Sequence, residues 1–327
     1  ILAVAFLHER ETGQLTFDLV AIAESQSIAT TTARWLFLSF AVAFAVKVPL
    51  FPVHTWLPDA HTEAPTVGSV LLAAILLKLG TYGFIRIALP FLPEAAQDWA
   101  PWIGLLAVIG IIYGALCCLA QRDMKRLIAF SSVAHMGFVM LGIATLTDFG
   151  LNAAIFGMVA HGIITGMLFF LAGSVQERFH TREISRLGGL LVNTPKMGWI
   201  LGFCAMASLG LPGLAGFWGE FPAILSAYEP AAGLSQATFR TFMVIAAVGT
   251  VLAAGYLLWM YQRVAFGTVP TEFSNAHVHD VEAPEWVSWT PLLVLILALG
   301  VYPNLIFRVT DGSVTDLVTA MGKAMGT

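Results

Sequence analysis

Apolar residues recur along this chain in long runs separated by short polar intervals, from about residue 35 to residue 307. A bilayer core about 30 Å thick requires a helix of roughly 20 mostly apolar residues. The pattern predicts about eight such spans, over residues 35–57, 66–90, 101–121, 126–147, 150–175, 196–228, 238–266 and 288–307. Residues 1–7 read as the end of a further helix, followed by an extracytoplasmic loop over 8–34. Residues 35–266 then form one membrane core, 267–287 a cytoplasmic loop, and 288–327 a last transmembrane helix with a C-terminal tail. Barrel strands would instead alternate polar and apolar residues over ~10 positions. The expected fold class is therefore an all-α polytopic membrane protein.

Composition agrees with that reading. Of 327 residues 58% are hydrophobic and 11% charged, where a soluble domain carries about 25% charged residues. Sixteen Lys+Arg against twenty Asp+Glu give a net charge of −4, which leaves no basic excess for a phosphate backbone. Nucleic acid is excluded as a partner. Cys117, Cys118 and Cys204 lie inside apolar runs without CxxC spacing, so they read as small buried hydrophobes. The chain opens on Ile1 with no charged leader ahead of the apolar start, and the expectation is that amino-terminal helices are missing from this sequence.

Lys and Arg in short loops mark the cytoplasmic side. The basic segments 121–126 and 177–186 are two spans apart, so they should share that face, with 267–287. The acidic stretch Pro93–Trp99 and the loop Tyr228–Arg240 should lie on the other side, with residues 8–34.

Ionisable side chains interrupt five of the apolar runs: Lys47, Lys78, His135, His161 and Glu220. A charge at the bilayer centre costs about 2.5–3.5 kcal/mol on insertion scales, so such residues mark sites or ion pathways. Lysine in an apolar surround titrates according to its neighbours, and histidine changes charge near pH 6.5. Together they suit proton transfer. Thr165, one helical turn after His161, falls on the same face and can hydrogen-bond a water beside it. Pro49 and Pro52 follow Lys47, and Gly210-Leu-Pro-Gly-Leu-Ala-Gly216 precedes Glu220. Both helices should break there, and broken transmembrane helices accompany ion sites in transporters. Asp59, His61 and Glu63 read as an interfacial cap rather than a metal site, and no dinucleotide, phosphate or haem motif marks a cofactor.

The segment Lys47-Val-Pro-Leu-Phe-Pro-Val-His-Thr-Trp-Leu-Pro-Asp-Ala-His-Thr-Glu-Ala-Pro65 resembles the antiporter-like membrane subunits of respiratory complex I. The likeness continues through 68–83, 123–137, His180-Thr-Arg182 and Gly219-Glu-Phe221, and covers about residues 34–266. Glu220 stands where the L and N types carry lysine, which favours the M type.

The resemblance implies an antiporter-like fold of fourteen helices, with two inverted five-helix repeats that each hold one broken helix. It implies proton transfer from Lys47 through Lys78, His135 and His161 toward Glu220, and a glutamate partner for Lys47 on an upstream helix. It places FMN, iron–sulfur clusters and quinone in partner subunits and none in this chain. The other partners it implies are the L and N subunits, small membrane subunits and the lipid of a bacterial cytoplasmic or organelle inner membrane. A multisubunit sodium/proton antiporter subunit is the alternative, since it shares the fold and the lysines.

Overall fold

The computed structural model describes residues 1–25, 28–273 and 278–326, so parts of the expected loops 8–34 and 267–287 fall outside the described residues. Among the described residues the chain is helical, with no strand. Six helices are long and apolar enough to cross a membrane. The two remaining expected spans are the broken ones, whose halves are each too short or too polar to count as a span alone.

In chain order the helices are α1 (Leu2–Thr12), α2 (Leu19–Ser25), α3 (Thr30–Lys47) and α4 (Trp56–Glu63), then α5 (Thr66–Phe91), α6 (Pro93–Leu119), α7 (Met124–Ala144) and α8 (Asp148–Phe179). After a helical turn at Leu190–Asn193 come α9 (Pro195–Ser208), α10 (Ala215–Ser226), α11 (Gln236–Ala265), α12 (Ala283–Val301) and α13 (Asn304–Met325).

Local chemistry sets many ends. Asp123 accepts from the backbone N–H groups of Lys125 and Arg126 at the start of α7, Thr147 caps α8 through Gly150, and Glu282 with Glu285 forms a capping box on α12. The break between α9 and α10 uses Gly210 at φ 78° and Gly213 at φ 92°, a conformation that costs glycine nothing.

Several expected boundaries are corrected. The helix read as ending at residue 7 runs on to Thr12, and α2 and the start of α3 occupy much of the supposed loop 8–34. Pro93–Trp99 is the first part of α6, because Pro fits a first turn and Glu94 suits its dipole. The supposed tail after residue 307 belongs to α13, a 22-residue helix.

α7 and α8 sit at the centre of the bundle, with 94% and 78% of their most apolar stretches buried. Lipid is as apolar as leucine, so contacts between such helices depend on close packing of small residues. Gly219 of α10 lies against Gly157 of α8 so closely that a Cβ at 219 would collide with the Gly157 backbone. That approach brings Glu220 to the middle of α8.

The basic loops do share one face. Met124 donates to the Arg182 carbonyl at 2.9 Å, Ile184 to that of Arg122 at 2.8 Å, and Arg182 pairs with Asp123 at 3.0 Å. Arg186 pairs with Glu272 from the following loop, and the carboxylate beside it raises the Arg186 guanidinium further above its ordinary value. The basic segments also hold the broken helix: Arg126 reaches Asp59 at 3.1 Å, Arg182 the Thr62 carbonyl at 3.1 Å, and the buried Lys125 the Ala64 carbonyl at 2.5 Å.

Candidate functional site

Four of the five ionisable residues picked out in the apolar runs meet in one line. Lys78 Nζ donates to the Ala73 carbonyl at 2.5 Å and stands 2.6 Å from His161 Nδ1. His161 is buried in α8, and its ring centre lies 5.8 Å from that of His135 in α7. His135 Nδ1 is 2.6 Å from Glu220 Oε1. Each side chain comes from a different helix, and the three beyond Lys78 are at least 90% buried.

The helix carrying Lys78 is locally widened. Over Leu72–Leu76 it takes π geometry, and Leu77 N–H bonds the Leu72 carbonyl five residues back. Such bulges accumulate at functional positions because they displace backbone groups from the regular ladder. Here the Ala73 carbonyl, inside the bulge, accepts the Lys78 ammonium.

Two further groups reach the site that apolar patterning did not single out. Ser208 Oγ and Tyr256 Oη each lie 3.2 Å from His135 Nε2. Ser208 closes α9 just before the Gly210 break, a position that marks it in retrospect. Tyr256 sits in a long apolar helix that also holds Tyr261, and nothing in the sequence separates the two.

Lys47 stands apart. It is the last residue of α3, half-buried, and its side chain makes no hydrogen bond or ion pair with any described residue. Its neighbours Phe44 and Val48 pack directly against Gly80, so the end of α3 lies beside the helix of Lys78.

Polar contacts between membrane helices contribute about 0.6 kcal/mol on average, whereas each ionisable group near the bilayer centre costs about 2.5–3.5 kcal/mol. Lys78, His161, His135 and Glu220 are thus not a set that packing alone calls for. Their arrangement suits transfer of protons between groups at hydrogen-bond distance, a role for which that cost is the expected accompaniment.

A family model described as NADH:quinone oxidoreductase/Mrp antiporter, TM, matches residues 1–253. The chain belongs to that family. NADH-quinone oxidoreductase subunit M of Rhodobacter capsulatus is 45% identical over 293 residues, which cover 89% of this chain and 55% of that protein. The chain thus spans little more than half the length of that relative. A chain of respiratory complex I from Thermus thermophilus with bound NADH superposes with a TM-score of 0.86 at 33% identity, over 100% of this chain and 66% of that one. The Mrp complex from Dietzia sp. DQ12-45-1b gives a TM-score of 0.80 at 21% identity, over 99% and 67%. At that identity the Mrp match shows the fold alone, and the antiporter-like membrane fold expected from the motifs is the one observed.

Proposed function

We propose that this chain forms the proton-translocating part of a membrane subunit of NADH:quinone oxidoreductase. The single observation that carries the reading is the line Lys78, His161, His135, Glu220, with 2.6 Å contacts at both ends and apolar helices around it. The 45% identity to a subunit M supports the same assignment.

In this mechanism the Lys78 ammonium donates to His161 Nδ1, and the imidazole passes a proton onward toward the His135–Glu220 pair. Glu220 accepts it, while the 2.6 Å contact of its Oε1 with His135 Nδ1, and Ser208 and Tyr256 at the far nitrogen of His135, hold that pair in place. Lys47 acts from the neighbouring helix end, through the field it exerts on Lys78, and takes its partner from an upstream helix. Moving one charge against 100 mV costs about 2.3 kcal/mol. That energy comes from quinone reduction in partner subunits, which hold the FMN, iron–sulfur clusters and quinone. The antiporter-like L and N subunits and small membrane subunits flank this one in a bacterial cytoplasmic or organelle inner membrane.

A sodium/proton antiporter subunit of the Mrp kind is the second reading, favoured by the shared fold. Affinity purification of the full-length subunit from its own membranes separates the two. The oxidoreductase reading predicts co-purification of flavin and iron–sulfur proteins and quinone-dependent NADH oxidation. Recovery with antiporter subunits alone, and sodium-dependent proton exchange, would overturn it.

A further inference from the structure

We propose that Thr165 is a positioning residue that holds one water molecule between His161 and Glu220, closing the central gap in the proton line. The inference rests on the proton-transfer reading above and adds a residue and a ligand to it.

The gap is real at the level of hydrogen bonds. His161 and His135 lie with ring centres 5.8 Å apart and planes tilted by 59°, with no bond between them. His161 uses Nδ1 toward Lys78, and His135 uses Nδ1 toward Glu220 and Nε2 toward Ser208 and Tyr256. A proton reaching His161 has no direct contact through which to leave.

Between these residues lies a cavity of about 20 Å³, lined among others by His135, His161, Thr165, Ser208 and Glu220. A water requires roughly 10–15 Å³ measured this way, together with two to four polar partners. The volume is therefore sufficient for a water. Three buried atoms of the lining residues have no partner in the protein: His161 Nε2, Thr165 Oγ1 and Glu220 Oε2. Buried polar groups are nearly always satisfied, and three orphans around one small cavity are best explained by a shared partner.

The Thr165 hydroxyl is not taken up by its own helix, a feature it shares with Thr250 of α11, which does not line this cavity. The hydroxyls of Thr12, Thr62, Thr194 and Thr241 each donate to the carbonyl four residues back, the ordinary arrangement for threonine in a helix. Thr165, 1% exposed and in mid-helix, makes no such bond. Its hydroxyl is left available to the cavity.

The step balances in protons. Lys78 delivers one to His161 Nδ1, and the proton on Nε2 passes to the water oxygen. The water gives one of its own hydrogens to Glu220 Oε2 and so remains a neutral water, while the Thr165 hydroxyl keeps its oxygen aligned with both.

The test is made in the assembled complex in native membranes, with Thr165→Val, Thr165→Ala and Thr165→Ser compared for proton pumping and for an infrared O–H band that shifts in H2(18)O. Valine keeps the shape and removes the hydroxyl, so pumping should fall about ten-fold and the band should vanish. Alanine also removes the hydroxyl but enlarges the cavity enough for a second water, so it should lose less than valine; serine should recover most of the wild-type rate. A purely packing role gives the reverse order, with valine near wild type and alanine worst, and that order overturns the inference. Lys78→Ala serves as the control on the parent reading. Loss of pumping in Lys78→Ala with none in Thr165→Val defeats the water site alone, whereas wild-type pumping in Lys78→Ala defeats the proton line itself.

Discussion

His135 Nδ1 and Glu220 Oε1 stand 2.6 Å apart although 85 positions separate them in the chain. The contact depends on the glycine pair Gly157 and Gly219, which lets the second half of a broken helix press against α8. Glu220 thereby gains a partner for one oxygen, and its Oε2 has none within the protein. Replacing His135 by Phe leaves both carboxylate oxygens unpartnered. We expect a loss of about 1–3 kcal/mol, read as less assembled complex on native gels, together with abolished pumping. Glu220→Gln keeps the hydrogen-bonding shape and should assemble normally yet fail to pump; normal pumping in that variant would remove Glu220 from the line.

The glycine contact makes a prediction of its own. A side chain at 219 must push α10 away from α8, and overpacking of this kind costs about 1–3 kcal/mol. Gly219→Val should lower the melting temperature of the detergent-solubilised complex and reduce pumping. Gly255→Ala is the comparison, because a Cβ there meets nothing within 4 Å; it should behave as wild type.

On the basic face, Arg178 binds Glu285 through two contacts of 2.6 and 2.8 Å, and Ser174 adds a third group to the same carboxylate at 2.7 Å. Both charged side chains are largely buried, at 13% and 20% exposure. Breaking one partner of such a pair leaves the other charge stranded. Arg178→Ala should therefore destabilise the subunit by about 2 kcal/mol, a value below the fully buried range because some solvent remains. Arg178→Ala combined with Glu285→Ala should be milder than the single change, as measured by thermal unfolding of the complex. An additive double variant would show that the two do not act as a pair.

How much of this was legible in the sequence differs from residue to residue. Pro49, Pro52 and the glycines around Pro212 announced both breaks, because each removes a donor or permits angles that no regular helix uses. Lys78, His135, His161 and Glu220 were visible as charges inside apolar runs, but their pairing was not, since it depends on how four helices cross. Tyr256 was silent for the same reason: its hydroxyl matters only once His135 is beside it. Helix ends were misplaced wherever polar residues continue a helix beyond the apolar window, as at Pro93–Trp99 and in the 32 residues of α8. α13 escaped because its apolar residues occupy one face between Arg308, Asp311, Asp316 and Lys323, a pattern that reads as a tail when only continuous hydrophobicity is sought.

The central claim is that Lys78 and Glu220 stand on one path for protons. It is tested most directly by the rates of proton pumping and of NADH oxidation, measured side by side in membranes carrying Lys78→Ala, Glu220→Ala and the two together. The account predicts that each single variant loses most of both pumping and turnover while the complex still assembles, and that the double variant is no worse than either, because one interruption already stops the path. Pumping and NADH oxidation at the wild-type rates in either single variant would contradict it.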